Sequence, residues 1–169
     1  MCAERQLTRG EVSWVVHDRL FFNEIKEQVG LEKAKDIYSK VWEKVGFAII
    51  TRAKQKLGIQ EVKDFETFKS IMKSAAGSIN DITEDSENRL VMELKWCPFS
   101  EVGRLLLQEP MGIPEGYDRS EWVRAAADAL VDWDRGMVLA TGLKGVSNTA
   151  ESHMCLGDKT CRRVFEFKK

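Results

Sequence analysis

Residues Arg89 to Leu106 read RLVMELKWCPFSEVGRLL, and the reading of this stretch decides the fold. Leu90, Met92, Leu94 and Trp96 alternate with Arg89, Glu93 and Lys95, the period of two expected of a strand with one buried face; Val91 is the exception. The alternation stops at Cys97-Pro98. Proline donates nothing to a strand ladder, and its fixed φ suits the first position of a helix. A strand over Arg89 to Trp96 therefore hands over to a helix at Cys97. A thiol placed there lies near free backbone N–H groups and the positive end of the helix dipole, which favours thiolate. The competing use of such a cysteine is as a small buried hydrophobe beneath the sheet.

Upstream, the pattern is helical. From about Thr8 to Val29, the residues Val12, Val15, Val16, Phe22, Ile25 and Val29 recur at helical spacing, with Asp18, Arg19, Glu24 and Lys26 between them. Gly30 reads as a C-cap. A second helix, from about Glu32 to Leu57, is expected to bury Ala34, Ile37, Tyr38, Val41, Trp42, Val45, Ala48 and Ile49, with Gly58 closing it. A third runs from about Lys63 to Ala76 on Phe65, Phe68, Ile71, Met72 and Ala75, with Asp64 as a cap. The polar, turn-rich run from Gly77 to Asn88 reads as a loop into the central strand.

Downstream, QEPMGIPEGYD over Gln108 to Asp118 holds two of the three prolines and ends the helix begun at Pro98, as a surface loop or a lid. Ser120 is placed to cap the next helix, whose apolar stripe is Trp122, Val123, Ala126, Leu130, Trp133 and Met137. Asp134 lies near the end of that helix, where a carboxylate opposes the macrodipole; its placement hints at a partner elsewhere. After Gly142 the chain makes a hairpin: an arm from Val146 to Met154, a turn at Gly157-Asp158, and a strand in which Arg163, Phe165 and Phe167 alternate with Arg162, Val164, Glu166 and Lys168. The polar first arm suits a pocket wall better than a core.

The expected fold is α+β: a helical N-terminal half packed on a small antiparallel sheet, in a single domain over 1–169 whose helical part spans about 8–76 and whose α/β part spans about 89–169. The net charge of −1 and pI of about 6.2 leave no basic footprint for nucleic acid. The charged start MCAERQLTRG and the lack of a long apolar run point away from a signal peptide and a membrane, so a cytoplasmic protein is expected. The partner expected is a small-molecule ligand or substrate, and an unpaired edge strand also offers a surface for a homodimer. Four cysteines kept reduced would serve chemistry, metal binding or packing rather than disulfides.

The candidate reactive groups are Cys97, His153, Cys155 and Cys161, with Glu151 or Asp134 to orient a base. A cysteine beside a helix start suits attack on an electrophilic carbon such as an amidine or carbonyl, with His153 moving protons. The same atoms offer a rival soft metal set of Cys97, His153, Cys155 and Cys161, although H-x-C-x5-C is not a common zinc spacing. No cofactor is expected; glycine-rich phosphate loops, serine nucleophile elbows and HExxH helices are absent from the sequence.

At Trp96-Cys97-Pro98-Phe99, and again at Gly157-Asp158-Lys159-Thr160-Cys161 followed by Val164-Phe165-Glu166-Phe167, the sequence resembles the L-2-amino-thiazoline-4-carboxylic acid hydrolase family over nearly the whole order of its elements. The closing motif, with Glu151, Cys155, Gly157-Asp158 and Cys161, is also similar to the end of the 4-vinyl reductase domain, a small-ligand-binding α/β module. Members of the hydrolase family carry a cysteine shortly before an acid in the helix preceding the C-terminal strands; here that region reads ALVDWD over Ala129 to Asp134, with the acid and without the cysteine. The first resemblance implies a hydrolase that opens a small cyclic amidine or thiazoline carboxylate by C–N cleavage, with Cys97 as nucleophile, His153 as base, Asp134 or Glu151 orienting it, and Lys95 and Arg104 pairing with a substrate carboxylate. The second implies a non-catalytic small-molecule-binding or sensory domain, with a pocket walled by Trp96, Phe99 and Trp133.

Overall fold

The computed structural model describes residues 8–77, 79–94, 96–102, 119–156 and 158–168. Helix α1 (Arg9–Val29) starts at a capping box in which Thr8 accepts from the Glu11 N–H at 3.2 Å and Glu11 accepts from the Thr8 N–H at 2.8 Å. Helix α2 (Leu31–Leu57) ends at Gly58, whose φ of 69° is the left-handed conformation that glycine adopts freely. Helix α3 (Phe65–Ala76) is capped by Asp64, which accepts from the Thr67 N–H at 2.7 Å.

The run expected as a loop holds a strand, β1 (Asp81–Asp85), which pairs antiparallel with β2 (Arg89–Leu94). Its sequence, DITED, has no apolar alternation to announce it, because it is an exposed edge strand fixed by charge. Lys69, buried in α3, reaches Asp85 at 2.7 Å and the Ser86 carbonyl at 2.8 Å, and Lys73 also bonds Asp85. Past Leu94 the chain turns helical at 98–102, as Pro98 requires; the loop or lid expected over Gln108 to Asp118 lies outside the described residues. Helix α4 (Arg119–Thr141), β3 (Val146–Ser152), a 3₁₀ turn at Met154–Leu156 and β4 (Cys161–Phe167) complete the order. The four strands lie β1-β2-β4-β3, all antiparallel.

The helices bury one face of this sheet. Leu90 and Met92 of β2 and Phe165 of β4 face Ile50, Phe65, Phe68, Ile71, Met72 and Met137 in one apolar cluster. Phe65 stacks on Phe68 and Phe167 at centroid distances of 5.3 and 5.5 Å, and Phe68 meets Phe165 at a tilt at 5.7 Å. A second cluster joins α1, the first half of α2, residues 97–102 and the first half of α4. Trp133 of α4 packs against both. The opposite face of the sheet is charged: Val91 and Val164 pair there, buried, ringed by Arg89, Glu151, Arg162 and Glu166. This accounts for the break in the alternation at Val91.

Helices α2 and α4 meet backbone to backbone. A Cβ added at Gly46 would lie 2.0 Å from the Trp133 carbonyl oxygen, and one at Gly136 would lie 1.9 Å from that of Glu43. This crossing turns the stripe Ala34, Tyr38, Trp42, Gly46, Ile50 and Ala53 inward, and leaves Val41 and Val45, expected in the core, about 40 % exposed. In α1, Arg19 and Asn23 are buried although polar, while Val29 is exposed. Asp18 ties three helices together, accepting from the Tyr38 hydroxyl of α2 and the Trp122 Nε1–H of α4, the latter at 3.2 Å.

Candidate functional site

The site is built where β2 ends and β4 begins. The register sets Leu94 opposite Cys161, and Cys97 follows Leu94 by three residues. Cys97 stands just before the helical turn at 98–102, its carbonyl accepting from the Glu101 N–H at 3.0 Å. Cys97 and Cys161 are 2 % and 1 % exposed, and each thiol perturbs the acidity of the other. Cys161 Sγ also accepts from the Met154 N–H at 3.1 Å. Ser100 donates to the Met154 carbonyl at 3.4 Å, which ties the helical turn at 98–102 to the 3₁₀ turn that follows β3.

The two thiols have opposite acidities. Cys161 and burial push Cys97 well above the ordinary thiol range, outweighing the favourable Ser100 N–H. Cys161 is lowered to about 7: the Cys97 thiol favours its thiolate, burial opposes, and the Met154 N–H and the Arg163 charge assist. The expectation of an activated thiolate at Cys97 is thereby corrected. Its position before a helix start is as read, but a low-dielectric setting and a neighbouring thiol outweigh one turn of helix dipole. Cys155, half-buried in the 3₁₀ turn, is pushed up to about 11, chiefly by burial.

His153 follows β3 and is half-buried; burial lowers its pKa against the pull of Asp128 and Asp158. Of the Gly157-Asp158 turn read from the sequence, Gly157 lies outside the described residues and the Asp158 carboxylate accepts from the His153 N–H at 2.7 Å. Glu151 belongs elsewhere. A register shift between Ala150 and Ser152 leaves it on the charged outer face, bonded to Arg162 at 2.6 Å and Arg89 at 3.1 Å, so it is committed to the sheet surface and not to orienting His153.

Asp134 finds the partner its placement hinted at. It lies 3.3 Å from Arg163 of β4, and both are buried. Burial raises the Asp134 pKa to about 6 against the opposing pull of Arg163. The Arg163 guanidinium lies 5.4 Å from the centre of the Trp133 ring, a cation–π arrangement. Among the described residues, Asp134 Oδ1, Arg163 Nη2 and Trp133 Nε1 have no hydrogen-bond partner. Arg163 is the member that sequence reading passed over. Its signal was its phase, since it shares a face of β4 with Cys161, Phe165 and Phe167.

An aromatic wall adjoins this polar knot. Trp42 lies 6.0 Å from Trp133 and 5.8 Å from Phe99, and Phe99 lies 5.9 Å from Trp122 and 4.9 Å from Trp14. Phe99 and Trp133 pack in this buried aromatic cluster, Trp96 is half-buried before Cys97, and Lys95 and Arg104 lie outside the described residues. Cys155 stands in the 3₁₀ turn just after His153, and the Met154 N–H of that turn reaches Cys161. Even so, no group of three or more His, Cys, Asp or Glu among the described residues is arranged to hold a metal. An open groove of about 510 Å³ runs along Thr51, Lys54, Gln55, Gly58, Ile59 and Gln60, none of which belongs to this junction.

No helix among the described residues is long and apolar enough to cross a membrane. Among solved structures, the chain is similar to a trafficking protein particle complex subunit 3 from Naegleria fowleri, covalently bound to palmitic acid, at 14% identity and a TM-score of 0.58, covering 95% of this chain and 96% of that one. It is similar also to the phenol-responsive sensory domain of the transcription activator PoxR with phenol, at 11% identity and a TM-score of 0.57, covering 97% of this chain and 77% of that one. The α+β architecture is therefore the 4-vinyl reductase-like fold. No curated protein sequence matches the chain. A family model described as "Family of unknown function (DUF6125)" matches residues 6–105, more than half of the sequence, and the chain belongs to that family.

Proposed function

We propose that this protein is a small-molecule-binding domain of sensory type, which receives a small ligand with an aromatic or aliphatic body and one polar group. The observation that carries the reading is the junction at Trp133. There the aromatic wall of Trp42, Phe99 and Trp122 meets a buried Arg163–Asp134 pair whose Asp134 Oδ1 and Arg163 Nη2 have no hydrogen-bond partner among the described residues. Apolar walls with a few convergent polar groups are what small-molecule sites are made of. The two structural neighbours hold palmitic acid and phenol, each an apolar body with one polar end. Hydrolytic opening of a cyclic amidine or thiazoline carboxylate ranks second, because it requires a thiolate at Cys97, and burial with Cys161 holds that proton in place.

The test is a thermal-shift screen of phenols, aromatic acids and fatty acids beside cyclic amidines and thiazoline carboxylates. A ligand present at about a hundred times its Kd adds ~2.7 kcal/mol, a rise of roughly 5–10 °C for a chain of this size. The expected hits are aromatic or aliphatic compounds recovered unchanged, and Trp133→Leu should shrink their shift. A hit that is consumed, with cleavage lost in Cys97→Ala, replaces this reading with the hydrolase.

A further inference from the structure

We propose that the outer face of the α1–α2 hairpin is the surface on which a second copy of this chain docks, about a two-fold axis parallel to the two helices. Among the described residues, twelve large hydrophobic side chains are exposed, and eight of them stand on these two helices, so the excess is local to the hairpin. Gly30 alone joins α1 to α2, and Phe22 meets Tyr38 at 5.2 Å while Trp14 meets Trp42 at 5.8 Å between ring centres. The helices therefore run antiparallel, side by side. Their buried residues set the phase: Val15 and Phe22 of α1, and Tyr38 and Trp42 of α2, belong to the core. At about 100° per residue, Trp14 and Phe21 fall on the outer flank of α1, and Ile37, Val41, Val45 and Ala48 form a stripe along the neighbouring flank of α2. Trp14, Phe21, Val41 and Val45 are 39–45 % exposed. One apolar strip thus runs along the outside of the hairpin, and monomers rarely leave such a strip uncovered. Trp14 also reaches Phe99 at 4.9 Å, which makes the strip continuous with the aromatic wall.

The size and the charges of this face fit a second copy. With 21 residues in α1, the hairpin is about 30 Å long and about 20 Å wide, which gives a footprint of about 600 Å² per copy and ~1,200 Å² for a pair, the lower end of what a specific interface buries. Charge selects the orientation. Beyond the strip, the rim of α2 is basic, with Lys33, Lys40 and Lys44 exposed, and that of α1 carries the exposed Glu24 and Glu27. An axis across the helices would lay α2 on α2 and bring the lysines together. An axis parallel to them lays α1 of one copy on α2 of the other and preserves heights along the hairpin. By the level of the ring pairs, Glu24 then stands beside Lys33 of the second copy, while Lys40 and Lys44 meet the uncharged His17 and Ser13. The β1 edge of the sheet is the poorer surface. Its five residues include Asp81, Glu84 and Asp85, so pairing two such edges sets acid against acid.

Sedimentation velocity of the full chain over a concentration series is the test. An interface of this size should give a dimer with a Kd of about 1–100 µM. Val45→Glu, at an exposed position, should keep the helical circular dichroism and raise the Kd at least ~30-fold, because it places a carboxylate in the apolar strip twice over. Glu24→Lys and Lys33→Glu should each weaken the dimer roughly three- to tenfold, and the double reversal should regain the wild-type Kd, since it exchanges the two charges without changing the pair. Should Val45→Glu fail to fold, the two charge reversals, both on the solvent side of their helices, decide the matter. A wild-type chain that stays monomeric well above that concentration range overturns the proposal and leaves the strip to another protein or to a membrane surface. A dimer indifferent to Val45→Glu and dissociated by Ile82→Glu on β1 overturns it in favour of the sheet edge. A dimer that ignores the single reversals, or that the double reversal does not restore, overturns the arrangement of α1 on α2.

Discussion

Replacing Gly136 by alanine tests the geometry on which everything else rests. A Cβ at that position would lie 1.9 Å from the Glu43 carbonyl oxygen, with the Glu43 carbonyl carbon at 2.7 Å and its Cα at 3.0 Å. All three are backbone atoms of α2, so no rotamer change relieves the clash and the helices must part by more than 1 Å. Overpacking of a core costs about 1–3 kcal/mol when side chains can adjust. Here the separation also loosens the side chains along the crossing, and the ~1 kcal/mol that alanine gains over glycine in a helix offsets only part of the loss. The net expectation is a destabilisation of about 3 kcal/mol, which lowers Tm by roughly 6–12 °C in a chain of this length. Gly46→Ala should act alike, because its Cβ would meet the Trp133 carbonyl oxygen at 2.0 Å. The double variant should lose less than the sum, since helices parted for one methyl have room for the other. Gly10→Ala is the control: its nearest neighbour is Thr8 Oγ1 at 3.9 Å, and it should be neutral or slightly stabilising. Circular dichroism melts of the four variants suffice. A Gly136→Ala protein that melts at or above the wild-type temperature would refute the close crossing and, with it, the placement of Trp133.

Two further outcomes follow from buried ionisable groups. The Asp134 pKa rises from 3.8 to about 6 on folding, so between those values the folded state binds more protons than the unfolded one, and this group's contribution to stability is lost as pH rises through that window. The loss is at most about 3 kcal/mol. Urea melts from pH 4 to pH 7 should therefore show a flatter profile in Asp134→Asn than in wild type, and an unchanged slope would contradict the burial of the carboxyl. In native protein at neutral pH, iodoacetamide should label Cys155 ahead of Cys97 and Cys161, both nearly inaccessible, with the order disappearing in denaturant. Cys97 labelling first would show that it is not buried.

The helices and the principal strands were legible because their apolar spacing is long and regular, and Gly30, Asp64 and Gly58 spelled out three of the caps. The face of α2 was not. A hydrophobic pattern gives glycine no weight, so Val41 and Val45 were assigned to the core; yet it is Gly46 that lets α4 approach and fixes which side of α2 turns inward. Strand β1 was hidden for the converse reason. Its residues bury almost nothing, and the lysine that fixes it stands in α3, where an apolar stripe drew attention away from Lys69.

The chemistry of the cysteines was least legible, because it depends on which charges converge and only the sheet register determines that. Read alone, Cys97-Pro98 promises a thiolate from the dipole of the following helix, an effect confined to the first turn and worth about 0.3–1 kcal/mol at an exposed site. Inside the protein this favourable effect competes with desolvation and with a second thiol, and those decide the outcome. Cys161 has the Met154 N–H and the field of Arg163 in favour of its thiolate, whereas Cys97 has the Ser100 N–H in its favour. Arg163 is in turn shared, since it also faces Asp134 at 3.3 Å. One buried cation thus serves a carboxyl on α4 and a thiol on β4, and the aromatic wall at Trp133 adjoins both. On the proposed reading, a ligand that engaged Arg163 beside Trp133 would draw that cation from Asp134, so the Asp134 pKa is expected to change on binding.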